Sequence, residues 1–256
     1  MISILKFLNL YNWVKREKDR RVFDLQLESR EEDLLNLYRP FIKEGDFVID
    51  CGAAYGNRSL VFNKLGATKI LMIEPLKYYQ QILEEKAIRM KSEVIIKRCG
   101  IGELNGSRMF WECSSPTLST FDPKEVAILK NNPEMKNLEW RDPYKMTIIT
   151  LASIIKEYGV PDFIKLDIEG YESEALSTLD IPIKALSFEF HTYRKDKALE
   201  CIKKLSSLGK YEFNYSERET FRLKYPKWFS SATMKKRLAE IPREVEFGDI
   251  YARLKK

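Results

Sequence analysis

Apolar and polar residues follow one another in short blocks, and from about residue 44 the blocks take a regular order. Phe47-Val48-Ile49-Asp50-Cys51 has the pattern of a buried strand, followed by a glycine-rich turn and a helical stretch over 57–65. Residues 69–74 (KILMIE) read as a second strand, 76–90 as a long helix bounded by Pro75, and 93–98 as a third strand. Asn105-Gly106, between Leu104 and Ser107, is a two-residue hairpin signal. The stretch 113–146 is rich in Ser, Pro, Asn and charge. It reads as a loop with one short helix, and an insertion that long usually covers a site. Order returns over Thr147–Tyr158, then a strand over 163–167, a helix from about 171, a strand over 185–191 and a helix at about 195–208. Two short strands at 211–216 and 245–253 read as a sheet edge. Strands and helices alternating at these lengths imply right-handed βαβ units, hence an α/β fold with a mostly parallel, doubly wound sheet and helices on both faces.

Upstream, Ser29 and Glu32 match a capping box, and Leu34, Leu35, Leu37, Tyr38, Phe41 and Ile42 give an apolar helical face. The first fourteen residues are apolar with one Lys, and a basic run over 15–21 follows them. A secretory signal would carry its charges before the apolar stretch. The plain reading is a terminal helix packed on the domain, and the other is an interfacial helix held against anionic lipid. The expected division is a helical extension over 1–43, a core over 44–216 with an insertion at about 113–146, and a basic extension over 217–256 that completes the sheet edge.

With 44% hydrophobic and 32% charged residues in 256, the chain can bury a substantial core. No apolar run approaches the roughly 18–20 residues that span a bilayer, which excludes a helical channel or carrier. Four cysteines without CxxC spacing disfavour a zinc ribbon or a dithiol, and are few for a disulfide scaffold. A reducing, cytoplasmic location is expected, at the inner face of the membrane if the N-terminus contacts lipid. The net charge of +6 changes meaning once divided: residues 1–22 hold six Lys/Arg against two acids, and 222–256 hold ten against four. The body between them is net acidic, so an electropositive groove for nucleic acid is not expected.

In a sheet of this kind, ligands bind outside the carboxyl ends of the strands where strand order reverses. The turn there is Asp50-Cys51-Gly52-Ala53-Ala54-Tyr55-Gly56, in which Gly52 and Gly56 allow a tight backbone and Ala53 and Ala54 add little bulk. Glu74 closes the next strand, where an acid can take both hydroxyls of a ribose. The glycine spacing is GxxxG, not GxGxxG, and GxxxxGK[ST] is absent, which weakens NAD and argues against ATP.

In order, EGDFVIDCGAAYGNRSL, ILMIEP, RCGIGELNGS, ITLASII, DFIKLDIEGYESEAL and LSFEFH resemble the FkbM family of methyltransferases over about residues 44–191. IKLDIEGYE is the most specific element. The resemblance implies a Rossmann-like class I methyltransferase fold that moves the methyl of S-adenosylmethionine to an oxygen, often a hydroxyl of a sugar or natural product, leaving S-adenosylhomocysteine. It places Asp50, Gly52, Ala53 and Gly56 at the methionine and sulfonium end, Glu74 on the ribose, and Gly100 and Ile101 beside adenine. Two departures stand out: Ala54 where the family commonly has Asn, and Ala152 where it usually has Asp.

The sulfonium methyl needs an oxygen held close and in line, and a base to accept its proton. Asp167 and Glu169 follow the fourth strand, Glu189 and His191 end the fifth, and residues two apart on a strand share a side. Asp167, Glu169 and His191 are therefore the catalytic candidates, with Asp167 also beside the cofactor turn. Their plain alternatives are a helix cap, a turn residue and a structural polar group, and Lys165 reads as snorkelling or paired with an acid. Asp167, Glu169, Glu189 and His191 are donors of the type that coordinates Mg²⁺, but no short spacing demands it, and no metal ligand is assigned. Lys224–Arg237 mixes bases with aromatics; Trp228 or Tyr225 could stack on a sugar, against the plain reading of a packed aromatic pair under a basic surface. The expected activity is O-methylation of a sugar hydroxyl on a glycan or glycolipid precursor. The alternatives are an RNA methyltransferase, favoured by a pI near 8.9, and a non-catalytic subunit binding an adenosine ligand. The acidic body and the lack of an NPPY-type segment after the fourth strand weigh against RNA.

Overall fold

The structure, a computed structural model, describes residues 2–255, with the side chains of 2–16, 19 and 26 outside the description. The apolar run over 1–14 and its suggested lipid contact therefore lie outside the described side chains. The chain runs α1 (Ile2–Tyr38), β1 (Phe47–Cys51), α2 (Asn57–Lys64), β2 (Lys69–Ile73), α3 (Lys77–Ala87), β3 (Glu93–Lys97), β4 (Gly100–Ile101), β5 (Gly106–Phe110) and α4 (Pro123–Asn131). It continues with β6 (Tyr144–Ile149), α5 (Leu151–Tyr158), β7 (Phe163–Leu166), α6 (Glu172–Ser177), β8 (Ala185–His191), α7 (Lys195–Leu208), β9 (Tyr211–Glu217), β10 (Phe229–Ser230), α8 (Ser231–Glu240) and β11 (Phe247–Leu254). No helix among the described residues is long and apolar enough to cross a membrane.

Eight strands form the main sheet in the order β10-β9-β11-β8-β7-β1-β2-β3. The five from β3 to β8 are parallel. Their near-continuous apolar runs reflect burial on both faces. Alternation along the strands sends Val48, Ile70, Met72 and Phe163 toward α1, α2 and α3, and Ile49, Leu71, Ile164 and Leu166 toward α5, α6, α7 and α8. Strand order reverses between β1 and β7, because the chain travels outward through β2 and β3 before returning. The crevice above their carboxyl ends is where a ligand is expected.

Four local expectations are corrected. The strand at 245–253 does not close the sheet edge: β11 runs antiparallel between β8 and β9, and β10 is the edge. Ile250, Tyr251 and Ala252 at its centre are fully buried, which a strand achieves with a neighbour on each side. Asn105-Gly106 does not make a hairpin. β4 and β5 both pair with β6 in a separate three-stranded sheet, and Asn105 is spent on the start of α5, accepting from the Thr150 N–H (2.9 Å) and donating to Ser153 Oγ (2.8 Å). The capping box at Ser29 starts nothing, since α1 runs through it and Phe23 and Leu27 already pack on the core upstream. Ala152, where the family usually has Asp, leaves the capping of α5 to Thr150, whose Oγ1 accepts from the Ser153 N–H. The segment 113–146 contains the short helix expected of it, but the rest is more ordered than a loop. Besides α4 it holds the start of β6 and an isolated bridge from Cys113 to Trp140, and Thr120 bridges back to Trp111 just before it. All four cysteines are buried thiols.

Candidate functional site

Two cavities open at the carboxyl ends of β1, β2, β7 and β8 and share a wall made of Gly52, Ala54, Thr117, Asp167 and Glu169. The smaller, about 100 Å³, reaches toward β2 and is lined by Glu74, Pro75, Leu76, Gly100, Ile101 and Phe121 among others. The larger, about 320 Å³, reaches toward β8 and holds Arg58, Lys165, Glu189, His191 and Glu219, with Phe23, Tyr55, Phe221 and Phe247 around them.

The turn after β1 is built by backbone contacts. The N–H groups of Gly52 and Ala53 both donate to the Ile73 carbonyl, at 2.9 and 3.2 Å. Gly52 has φ +78°, and a Cβ there would lie 1.8 Å from the Asp167 carbonyl oxygen, so no side chain fits where β1 and β7 converge. Ala54 also adopts a left-handed backbone, φ 45°. That conformation aims its N–H at Glu74 Oε2 (3.0 Å), while Glu74 Oε1 accepts from the Leu76 N–H (2.9 Å). Glu74 thus braces the turn while lining the cavity. Burial, partly opposed by those two N–H groups, pushes its pKa up to about 7. The chemistry of this lining suits an adenosine ligand: Glu74 offers carboxylate oxygens that ribose hydroxyls can donate to, and Ile101 and Phe121 offer an apolar surface to a flat base. At Gly100 a Cβ would come within 2.4 Å of the Phe121 ring, so the floor needs glycine.

Two residues expected at the cofactor line neither cavity. Asp50 sits behind the cleft, fully buried, with Oδ2 accepting from Ser59 Oγ (2.6 Å) and Oδ1 without a hydrogen-bond partner. It is in register with Lys165 on β7, whose positive charge offsets part of the burial that raises the Asp50 carboxyl. Gly56 is the left-handed N-cap of α2, and a Cβ on it would meet Leu83, so it shapes the turn from beneath. Gly52, Ala53, Ala54, Glu74, Gly100, Ile101 and Asp167 do reach cavity walls.

Around the larger cavity the candidates separate by charge state. Lys165, buried within β7, donates to Asp167 Oδ2 at 2.7 Å. Burial alone would raise the Asp167 carboxyl, but the Lys165 ammonium more than offsets it and holds the group below its ordinary value. Asp167 is therefore an ionised carboxylate and does not cap α6, whose N-cap is Tyr171. Glu169, at φ 54°, turns back into the cavity, and its carbonyl accepts from Thr120 Oγ1 (2.7 Å). Burial, then the charge of Glu189, lifts its carboxyl well above normal. Glu189 is raised by burial too, with His191 opposing. Burial disfavours the charged form of His191, yet the Glu189 carboxylate wins and takes its pKa up to about 9. Glu189 Oε2 and His191 Nε2 lie 3.1 Å apart, close enough to attract as charges but without the alignment of a hydrogen bond. The imidazole stacks on Tyr193, ring centres 5.0 Å apart.

Several residues at the cleft had no sequence signal. Glu172 Oε1 accepts from the N–H groups of Ile168 and Gly170 and so shapes the 167–172 turn, its pKa lifted to about 8 by burial and then by Glu189. Arg58 comes from α2, 3.3 Å from Glu219 and 4.6 Å from the centre of the Phe221 ring. Phe23 and Leu27 come from α1, which is docked by Arg20 to Glu85 (2.7 Å), Lys86 to Asp24 (2.7 Å) and a Phe23–Tyr55 stack. Thr117 and Leu118 belong to the 113–146 segment, which reaches the cleft and is tied down by Arg194 through Asp122 (2.5 Å) and Glu125 (3.1 Å). By contrast Trp228 and Tyr225 do not line the cleft. Trp228 packs edge-on against Phe41 beneath the Arg253 guanidinium, and Tyr225 packs on Tyr215 and Phe229, so neither stacks on a sugar in it.

The sequence profile described as "Methyltransferase FkbM domain" matches residues 50–217. Among solved structures, the chain is similar to a methyltransferase FkbM from Methylobacillus flagellatus KT at 16% identity and TM-score 0.49, covering 82% of this chain and 44% of that one. It is also similar to a putative rRNA methylase from Clostridium thermocellum (10% identity, TM-score 0.46, 87% and 94% covered). A third likeness is to a SAM-dependent O-methyltransferase from Thermotoga maritima (14% identity, TM-score 0.36, 93% and 66% covered). This chain thus spans less than half the length of the Methylobacillus protein. No curated protein sequence matches the chain.

Proposed function

The chain belongs to the FkbM methyltransferases, and from that premise we propose that it methylates a hydroxyl oxygen on a sugar of a glycan or glycolipid precursor. It is a methyltransferase that uses S-adenosylmethionine, which supplies a methyl group on an electrophilic sulfonium. The observation that carries the finer reading is the wall of the larger cavity. Carboxylates, an imidazole and a guanidinium stand there among the rings of Phe23, Tyr55, Phe221 and Phe247. A sugar offers matching surfaces, hydroxyls for the polar groups and a C–H face for the rings.

The smaller cavity takes the adenosine end, with Glu74 on the ribose and Gly100, Ile101 and Phe121 around the base. Gly52 and Ala54, at the wall both cavities share, would then hold the sulfonium end. Asp167 stands at that wall as an ionised carboxylate and accepts the hydrogen bond of the acceptor hydroxyl, fixing its oxygen in line with the methyl. With S-adenosylmethionine bound, the methyl would pass to that oxygen and the thioether would stay with the donor, while Asp167 would take the hydroxyl proton. Held low by Lys165, Asp167 is a weak base, so alignment supplies most of the rate. Arg58 and the aromatic rings hold the rest of the acceptor.

The test is to incubate the protein with methyl-labelled S-adenosylmethionine and fractionated cell extract. Label is expected in a glycan or lipid-linked glycan fraction, recovered as an O-methyl sugar after acid hydrolysis. Label in RNA instead overturns the sugar reading. Intact donor binding with no label in any fraction, while extract known to contain acceptors of another methyltransferase is labelled by that enzyme, points to a non-catalytic binding subunit.

A further inference from the structure

The larger cavity contains three side chains that positioning and proton transfer by Asp167 leave unused. Glu169, Glu189 and His191 each offer one donor atom, and the three atoms all lie within 4.8 Å of one another. Glu189 Oε2 and His191 Nε2 face each other at 3.1 Å, are both buried, and have no hydrogen-bond partner. Two carboxylates and an imidazole from the turn after β7 and the end of β8 thus converge, the Glu189 and His191 atoms with donor capacity unspent. Buried polar atoms normally find partners, and those that do not call for an explanation.

We propose that Glu169, Glu189 and His191 form a binding site for one divalent first-row cation of the Mn²⁺ kind. Bonds of about 2.0–2.2 Å to oxygen and nitrogen place adjacent donors about 3 Å apart and opposite donors about 4.2 Å apart. The observed 3.1 Å pair and the 4.8 Å limit on the whole group need only small side-chain adjustments to meet those spacings. The imidazole nitrogen points away from Mg²⁺ or Ca²⁺, which favour all-oxygen sets, and toward a transition metal that accepts mixed donors. In the bound state the three ligands are deprotonated, so the carboxylates supply the charge that a dication needs and its binding releases protons.

What the cation does there rests on the acceptor-site reading; that it binds does not. Beside Asp167 it would meet the acceptor oxygen and make the hydroxyl more acidic, which suits a base as weak as Asp167. Lys165 keeps Asp167 occupied with a charge of its own, leaving the other three to the metal.

The experiment uses the full chain stripped with EDTA and dialysed, and titrates Mn²⁺ while the six-line electron paramagnetic resonance signal of free Mn²⁺ is recorded. One Mn²⁺ per chain is expected. His191→Ala, Glu189→Gln and Glu169→Gln should each weaken it at least about tenfold, since even groups that only support a metal ligand are worth roughly 10–100-fold. Circular dichroism checks folding, and Glu189→Gln, which keeps the side-chain shape, decides the matter if His191→Ala does not fold. No Mn²⁺ bound by the wild type at about 1 mM, the weak end of protein sites for hard dications, overturns the proposal, as does unchanged affinity in all folded variants. S-adenosylmethionine binding, measured on the same samples with and without Mn²⁺, reports on the methyltransferase site separately: its failure would leave the metal result standing, and the reverse.

Discussion

The two halves of the cleft are built in different ways. Every residue lining the smaller cavity lies within 50–217, the segment matched by the family, and away from the shared wall its key contacts are backbone N–H groups, glycines and the one carboxylate of Glu74. The larger cavity borrows Phe23, Leu27 and Leu34 from before that segment and Glu219, Phe221 and Phe247 from after it, and relies on charged side chains. On the proposed assignment the smaller cavity takes the donor and the larger the acceptor; a common donor needs one fixed cradle, and a cradle made from main chain can be written in a short local motif. An acceptor differs from enzyme to enzyme, and a wall drawn from the chain's two ends can change while the cradle stays. Asp167 stands where the two meet.

The sharpest way to break this division is at the shared wall. Asp167→Asn keeps the side chain's size but loses the charge paired with Lys165 and the proton acceptor. Turnover should fall about 10²–10⁴-fold, the range for a general base, while donor affinity measured by calorimetry changes little. A comparable loss of donor affinity would place Asp167 on the cofactor side instead.

The next effect concerns the 113–146 segment, which contributes Thr117 to both cavities. Arg194 holds it by two buried carboxylates, Asp122 and Glu125. Arg194→Ala leaves both without their cation, which typically costs about 3–5 kcal/mol. For a chain of this size that is a fall in melting temperature on the order of 10 °C, read by calorimetry. If the melting point holds and donor and acceptor kinetics are unchanged, the segment is no part of either wall.

Much of the smaller cavity was legible in the sequence, because Gly52, Glu74 and Gly100 follow buried-strand patterns closely enough for a local motif to show them. Asp50 shows where that legibility stops: it opens the motif, yet strand alternation turns it behind the cleft toward Ser59 and Lys165. The larger cavity was legible only where strand ends carry it, at Asp167, Glu169, Glu189 and His191. Arg58, Phe221 and Phe247 reach it through helix docking and through the insertion of β11 between β8 and β9. Both are long-range events, and a single chain's periodicity carries no sign of them. The same limit explains Asn105-Gly106, a good hairpin pair locally that tertiary contacts with Thr150 and Ser153 put to another use.

On the donor side, Glu74→Ala should weaken S-adenosylmethionine binding by about 1.5–3 kcal/mol, the range for hydrogen bonds to a charged group. Part of that loss would come from the Ala54 and Leu76 N–H groups it releases. The pH dependence separates the two contributions. In the free protein the Glu74 carboxyl titrates near 7, and ribose hydroxyls donate to its ionised form. Donor affinity should therefore rise as pH increases through 7 and fall below it, and Glu74→Gln should flatten that limb. For folding the sign is opposite: a carboxyl raised from 4.5 to about 7 favours the folded state when protonated, so its contribution declines as pH climbs between those values. An identical pH limb in wild type and Glu74→Gln would remove Glu74 from the ribose.

The smallest effect is expected at Ala54, the departure from the family's usual Asn. Its φ of 45° is a left-handed conformation that costs an ordinary residue roughly 1–2 kcal/mol and that Asn tolerates better. Ala54→Asn should thus raise stability by less than about 1 kcal/mol, because the N–H to Glu74 already fixes the turn and Asn recovers only part of the strain. Its amide would also enter the wall shared by the two cavities, so donor affinity should hold or tighten slightly. Thermal melts and calorimetry on the single variant read both quantities. A clear loss of stability would mean that the wall has no room for an amide, and a loss of donor affinity alone would mean that the sulfonium end sits closer to Ala54 than to Gly52.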